Sequence, residues 1–160
     1  MSGSQTRTAG QPRGYVLVVD DEPGMTDIVA TNLRAEGYEV TSASDGAAAV
    51  SAAQRRRPDL IVLDIMLPKL DGWQVLQTLE GRPDTAGIPV ILLTAKTDDA
   101  DVLRGLDLGA VEYITKPFFP EDLVASVKIQ LEVLDPIMRD RHRADLMEAR
   151  RRLMQRRARG

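Results

Sequence analysis

The chain has 160 residues, 43% hydrophobic and 28% charged, with a formal net charge of −3 and no cysteine. That length suits one domain with tails and a full core, while disulfide frameworks and thiolate metal sites are excluded. No apolar run approaches the ~20 residues of a membrane span, and the polar N-terminus is no secretory signal, so a cytoplasmic protein is the expectation.

Residues 1–14 are rich in Ser, Gly, Thr and Gln and read as a disordered tail. From Tyr15 onward, strands and helices alternate. Short apolar runs predict strands near 15–19, 38–43, 59–63, 88–93 and 111–115, and the segments between them predict helices near 24–36, 46–56, 71–80, 98–108 and 119–134. Gly37 stands where a helix would end in a left-handed residue. Ser44-Asp45-Gly46 turns the chain and caps the second helix, Asp71-Gly72 opens the third, and Pro58 and Pro89 sit beside strand starts, where a missing N–H is tolerated. Strands that alternate with helices of about ten residues imply right-handed βα crossovers and a parallel sheet.

Asp135-Pro136 then interrupts the fifth helix and carries a fresh start signal, Asp at N-cap and Pro at N1. A further helix from Pro136 to about Arg157 is expected. Residues 136–160 hold nine Arg against three acidic residues, a net of +6 that leaves −9 for the rest of the chain. An acidic body argues against nucleic-acid binding by that body. The apolar residues of the extension are sparse, and the Leu146–Leu153 and Met147–Met154 spacings of seven suggest at most a weak homodimer seam. The Arg-rich surface reads as a solvated helix face, and His142 as a solvent-facing helix residue.

The chemistry lies where the apolar runs stop. Val16-Leu17-Val18-Val19 ends in Asp20-Asp21, Leu60-Ile61-Val62-Leu63 in Asp64, Val90-Ile91-Leu92-Leu93 in Thr94, and Tyr113-Ile114-Thr115 in Lys116. All-apolar strands are buried on both faces of a parallel sheet, and ligands of such sheets bind beyond the strands' carboxyl ends. Three acids, a hydroxyl and an ammonium therefore converge on one edge. Clustered carboxylates repel each other unless a cation sits among them, and Mg²⁺ takes one or two carboxylates with waters and phosphate oxygens. Asp20 or Asp21 with Asp64 supplies such a set. Asp64 also suits attack on phosphorus, since carboxylates form covalent intermediates of this kind. Lys116 and Thr94 would then meet the charge spread over the transferring oxygens, with the small Ala95 leaving room beside Asp64. Alone, each residue has an ordinary reading: Thr94 as a helix cap, Tyr113 as a strand residue, Trp73 as packing.

In order and spacing, VLVVDDEP, LIVLDIMLPKLDGW, VILLTAK and GAVEYITKPF resemble the motifs of the receiver domain of two-component response regulators, over Tyr15 to about Leu134. That resemblance implies a flavodoxin-like, doubly wound five-stranded parallel sheet of order 2-1-3-4-5, with domain limits of 15–134 and a basic extension over 135–160. It makes Asp64 the phosphoryl acceptor. Asp21, Asp64 and the Met66 carbonyl become Mg²⁺ ligands, with Asp20 acting mostly through water. It makes Thr94 the switch hydroxyl, Tyr113 the switch aromatic and Lys116 the lysine before a cis proline, Pro117. The implied function is a phosphorylation-dependent signalling switch and not a turnover enzyme. A histidine kinase or phosphotransfer protein would load it, and it would signal through the fourth helix, fifth strand and fifth helix.

Two other readings compete. Haloacid-dehalogenase-like phosphatases need an acid two residues beyond the nucleophilic Asp, and here that position is Met66. A dinucleotide-binding fold lacks its glycine fingerprint, since no G-x-G-x-x-G follows a strand. DIMLPKLDGW and DLVASVKIQL also resemble receivers of winged-helix transcription factors, although Lys128 stands where that class carries Arg at its dimer face. The chain is accordingly expected to be either a single-domain regulator or the receiver of a longer transcription factor or cyclase.

Overall fold

Five short segments form one parallel sheet in the order β2-β1-β3-β4-β5. They are β1 (Tyr15–Val19), β2 (Glu39–Ala43), β3 (Leu60–Asp64), β4 (Val90–Thr94) and β5 (Glu112–Thr115). The computed structural model describes residues 11–67, 71–95 and 99–159. Every residue of β1, β3 and β4 is buried, as expected of central strands covered on both faces. The helices between them are α1 (Pro23–Ala35), α2 (Gly46–Arg55), α3 (Gly72–Glu80), α4 (Asp99–Asp107) and α5 (Pro120–Lys128).

The strand alternation divides the core in two. Val16, Val18, Val62, Ile91 and Leu93 pack with Val29 and Leu33 of α1 and Leu123 and Val127 of α5. Leu17, Val19, Ile61, Leu63 and Leu92 pack with Ala49 and Ala53 of α2 and Trp73, Val75 and Leu79 of α3. Helix α4 joins this second layer so closely that a Cβ on Gly105 would lie 2.3 Å from Leu92 Cδ1 and 3.1 Å from Trp73. The strand order and layering are those of the flavodoxin-like fold.

The turn chemistry explains the element ends. Gly37 has φ +95° behind α1, a conformation that disfavours any side chain. Asp45 caps α2 by accepting from the Ala48 N–H at 2.8 Å, and Asp71 and Gln74 close a reciprocal capping box on α3. Of the tail expected over 1–14, residues 1–10 lie outside the described residues. Arg13 and Gly14 are already tied to the body through backbone bonds to Gly37 and Glu39. Asp98, the expected first residue of the fourth helix, also lies outside them, as do Pro68, Lys69 and Leu70 of the second motif.

The fifth helix differs from the expectation of one run over 119–134. Its α-helical part stops at Lys128, and a π-helical turn follows over Ile129–Val133. This wider turn shifts the helix phase, carrying Gln130 inside and leaving Ile129 and Val133 exposed. Leu134 is then extended, and Asp135 caps α6 (Pro136–Arg159) by accepting from the Met138 N–H at 2.8 Å.

Helix α6 does not present a solvated face all round. It packs against α4 and reaches the outer edge strand β5, where His142 Nε2 lies 2.9 Å from a Glu112 carboxylate oxygen. His142 is therefore paired, not simply solvent-facing. Leu146 and Met147 stand on the same half-buried stripe as Arg139, His142, Arg143 and Arg150, so these two apolar residues face the body.

Candidate functional site

The carboxyl ends of β1, β3 and β5 bring Asp20, Asp64 and Lys116 together. Lys116 Nζ donates to Asp64 Oδ2 at 3.0 Å and to Asp20 Oδ2 at 3.1 Å. Both carboxylates are almost fully buried, at 2% for Asp20 and 3% for Asp64. The parallel register puts Val18, Val62 and Ile114 on the α1/α5 face of the sheet. Each acid or ammonium stands two residues beyond one of these, on the same side. Two backbone N–H groups complete the frame: Glu22 donates to Asp20 Oδ1 and Met66 to Asp64 Oδ1, each at 3.0 Å.

Asp21 is exposed, yet its carboxylate lies with those of Asp20 and Asp64 within 4.8 Å. This all-oxygen, mixed buried and exposed set fits a hard divalent cation. Met66 sits at the rim with its side chain 60% exposed and its N–H turned to Asp64.

The electrostatics follow from burial. Desolvation pushes the Asp64 carboxyl above its ordinary range, against the Lys116 hydrogen bond and the Met66 N–H, while the Asp20 charge pushes the same way as desolvation. For Lys116 burial pulls the other way, but hydrogen bonds to Asp64 and Asp20 outweigh it and hold the ammonium above its usual value. Three carboxylates against one ammonium leave the site with two negative charges in excess. A hard cation or a protonated Asp64 would relieve that imbalance.

Thr94 ends β4, is buried to 2%, and its carbonyl accepts from the Lys116 N–H at 2.7 Å. It belongs to the sheet face opposite Asp64. Leu92 pairs in register with Tyr113 and Thr94 with Thr115, so Thr94 and Tyr113 share the α3/α4 side. The Lys116–Pro117 peptide is cis. Ala95 follows Thr94 and is exposed.

The β3–α3 connection is fixed by Gly72, where a Cβ would lie 2.5 Å from the Ile65 Cα. The Gly72 N–H instead donates to the Ile65 carbonyl at 2.9 Å, which anchors the residue next to Asp64.

A family model for the response regulator receiver domain matches residues 16–128. The chain belongs to this family. The receiver is 44% identical over 119 residues to the DNA-binding response regulator MtrA of Mycolicibacterium smegmatis, covering 74% of this chain and 51% of that protein. It is 48% identical over 113 residues to the alkaline phosphatase synthesis transcriptional regulatory protein PhoP of Bacillus subtilis, covering 71% and 46%. The chain spans about half the length of the curated relatives it matches. Among solved structures, the chemotaxis response regulator CheY4 of Vibrio cholerae superposes with a TM-score of 0.70 at 32% identity, covering 73% of this chain and 98% of that one. A Francisella response regulator receiver domain gives 0.70 at 33%, covering 74% and 97%. These relatives are response regulators and not conventional enzymes. Among the described residues, no helix of the receiver is long and apolar enough to cross a membrane.

Asp99, Glu112 and Arg150 went unremarked in the sequence. Asp99 is buried at the start of α4 and accepts from Arg150 Nη1 at 2.8 Å and from Arg157 Nη1 at 2.5 Å. Arg150 also donates to the Tyr113 hydroxyl and lies 5.0 Å from the centre of its ring. The acidic run around Asp99 and the arginine run around Arg150 carry no motif, and Glu112 is an ordinary strand residue within GAVEYITKPF. The only sequence signal was the charge contrast between the tail and the body.

Proposed function

We propose that this receiver is a phosphorylation-controlled switch whose acceptor is Asp64. The observation that carries it is the Lys116 ammonium bridging two buried carboxylates beside a third acid. An Asp64 oxygen attacks the phosphorus of a phosphohistidine in a histidine kinase or phosphotransfer protein. The new P–O bond forms as the P–N bond breaks, and the donor imidazole leaves with the electron pair and is then protonated. Asp20, Asp21 and Asp64, with the Met66 carbonyl, would hold Mg²⁺. When bound, Mg²⁺ offsets negative charge on the phosphoryl oxygens. Lys116 exchanges part of its bond to Asp64 for one to a phosphoryl oxygen, and the Thr94 hydroxyl donates to another.

Phosphorylation adds charge that the edge did not carry, and Thr94 and Tyr113 answer from the α3/α4 side as a two-state element biased by that charge. The output face is α4, β5 and α5, serving a downstream protein or effector domain. Residues 15–134 form the switch unit, with 135–160 as its extension. A phosphatase of the haloacid-dehalogenase kind is not supported, because Met66 offers no acid.

Intact mass after incubation with acetyl phosphate tests the assignment. One phosphoryl adduct is expected with Mg²⁺ present and none after chelation. An adduct retained at full yield by Asp64→Asn would remove Asp64 from the acceptor role.

A further inference from the structure

Helix α6 is held to the body in an unusual way. It runs for 24 residues, yet none of them is fully buried. A helix that docks on a domain ordinarily does so through an apolar stripe. Here the inward stripe is largely cationic, and the contacts that fix it are polar. Arg139 donates to the Gln130 carbonyl at 3.1 Å, His142 meets Glu112, and Arg150 and Arg157 converge on Asp99.

Asp99 and Tyr113 together make the receptor for this stripe. The Asp99 side chain is 6% exposed and that of Arg150 15%, so this pair is screened from water and salt far better than a surface bridge. Arg150 engages Asp99 with one nitrogen and the Tyr113 hydroxyl with the other, while its plane lies over the Tyr113 ring. A planar guanidinium offers several donors in a fixed fork, which a lysine would not reproduce.

We propose that Asp99 and Tyr113 form a guanidinium-binding socket on the α4–β5 face, and that α6 occupies it in the resting state as an intramolecular inhibitor. The inference rests on the switch reading above and adds to it the element that the switch releases. Tyr113 is the hinge of the coupling. If it turns inward toward Thr94, Arg150 loses the hydroxyl and the ring together, leaving only the ion pair at Asp99. The α4–β5 face then opens to an outside partner that carries arginines on a helix. Coupling is reciprocal, so a docked α6 also opposes phosphorylation.

The test uses the whole chain with Mg²⁺ and beryllofluoride, a phosphoryl mimic. Fluorine NMR reports the adduct, and amide hydrogen exchange reports α6. Formation of the adduct should speed exchange in residues 140–157 by about fivefold or more, the low end of ordinary coupling between two sites, with α1 unchanged. Arg150→Gln and Asp99→Asn, which break the socket from opposite sides, should each show fast α6 exchange without beryllofluoride and little further rise with it. Both should also take up beryllofluoride at a concentration lowered by a similar factor. A bound fluorine signal with α6 exchange unchanged overturns the socket as a gate. So does slow α6 exchange in both variants. Absence of any bound fluorine signal instead overturns the switch reading, and the gate with it.

Discussion

Lys116 Nζ stands 3.0 Å from Asp64 Oδ2, and the same ammonium reaches Asp20 at 3.1 Å. It is the cation that lets two buried carboxylates face each other. The charge balance of the site therefore depends on one side chain, and the consequences of removing it depend on what else is bound.

Lys116→Ala should leave Asp20 and Asp64 buried and uncompensated. The expected loss is about 1–3 kcal/mol in urea denaturation at neutral pH, the usual cost of an orphaned buried polar group. Saturating Mg²⁺ should recover much of it, because a cation bound only by the folded state stabilises that state. The Lys116 value is raised above 10.5, so its contribution is fully present through neutral pH and is lost only as pH rises above 10.5 through the folded value. An equal loss with and without Mg²⁺ would show that the lysine is needed for packing and not for charge.

Asp64→Asn should stabilise the protein at neutral pH. Burial raises the Asp64 carboxyl above 3.8, so the folded state holds that proton more tightly than the unfolded chain. Ionisation then costs stability: the cost is absent below 3.8, grows as pH rises through the folded value, and levels off above it. The variant never ionises there and keeps a neutral acceptor for the Met66 N–H. Its advantage over the native protein should widen from pH about 4 upward and then become constant. A constant difference across the whole range would contradict the upward shift.

Gly72→Ala is expected to destabilise by about 1–3 kcal/mol, the range for a forced overlap in a packed region. The added methyl meets the Ile65 backbone, so the segment beside Asp64 must move. Acetyl phosphate labelling should slow along with the fall in stability. Labelling at the native rate would mean that the β3–α3 connection yields without disturbing the acceptor.

Much of this arrangement was legible in the sequence. Apolar runs ending in Asp20, Asp64, Thr94 and Lys116 are enough to place those groups on one edge, because a parallel sheet aligns its strand ends. The strand order was not visible in composition or periodicity and came from the resemblance. The docking of α6 was missed for a physical reason. Periodicity searches look for apolar stripes, and Arg139, Arg143 and Arg150 put charge on the inner face, where their long stems cover surface and their heads find the Gln130 and Leu106 carbonyls and the Asp99 carboxylate. The π-helical turn at Ile129–Val133 was missed as well, since nothing local distinguishes IQLEV from ordinary helix.

Truncation after Leu134 tests the boundary. The body keeps both core layers, since α6 contributes to neither. Mg²⁺-dependent labelling should persist, and the melting temperature should fall by less than about 5 °C, corresponding to roughly 1 kcal/mol. Failure of the shortened chain to fold would place α6 within the folding unit.

The two-residue joint of Leu134 and Asp135 gives α6 a further role. So short a joint makes α6 a tethered ligand, present at its own socket at an effective concentration on the order of millimolar. Any free helix competing for the α4–β5 face must overcome that local concentration before it binds. Weak, abundant basic helices are turned away, and the face answers only to partners whose affinity exceeds the threshold set by the tether.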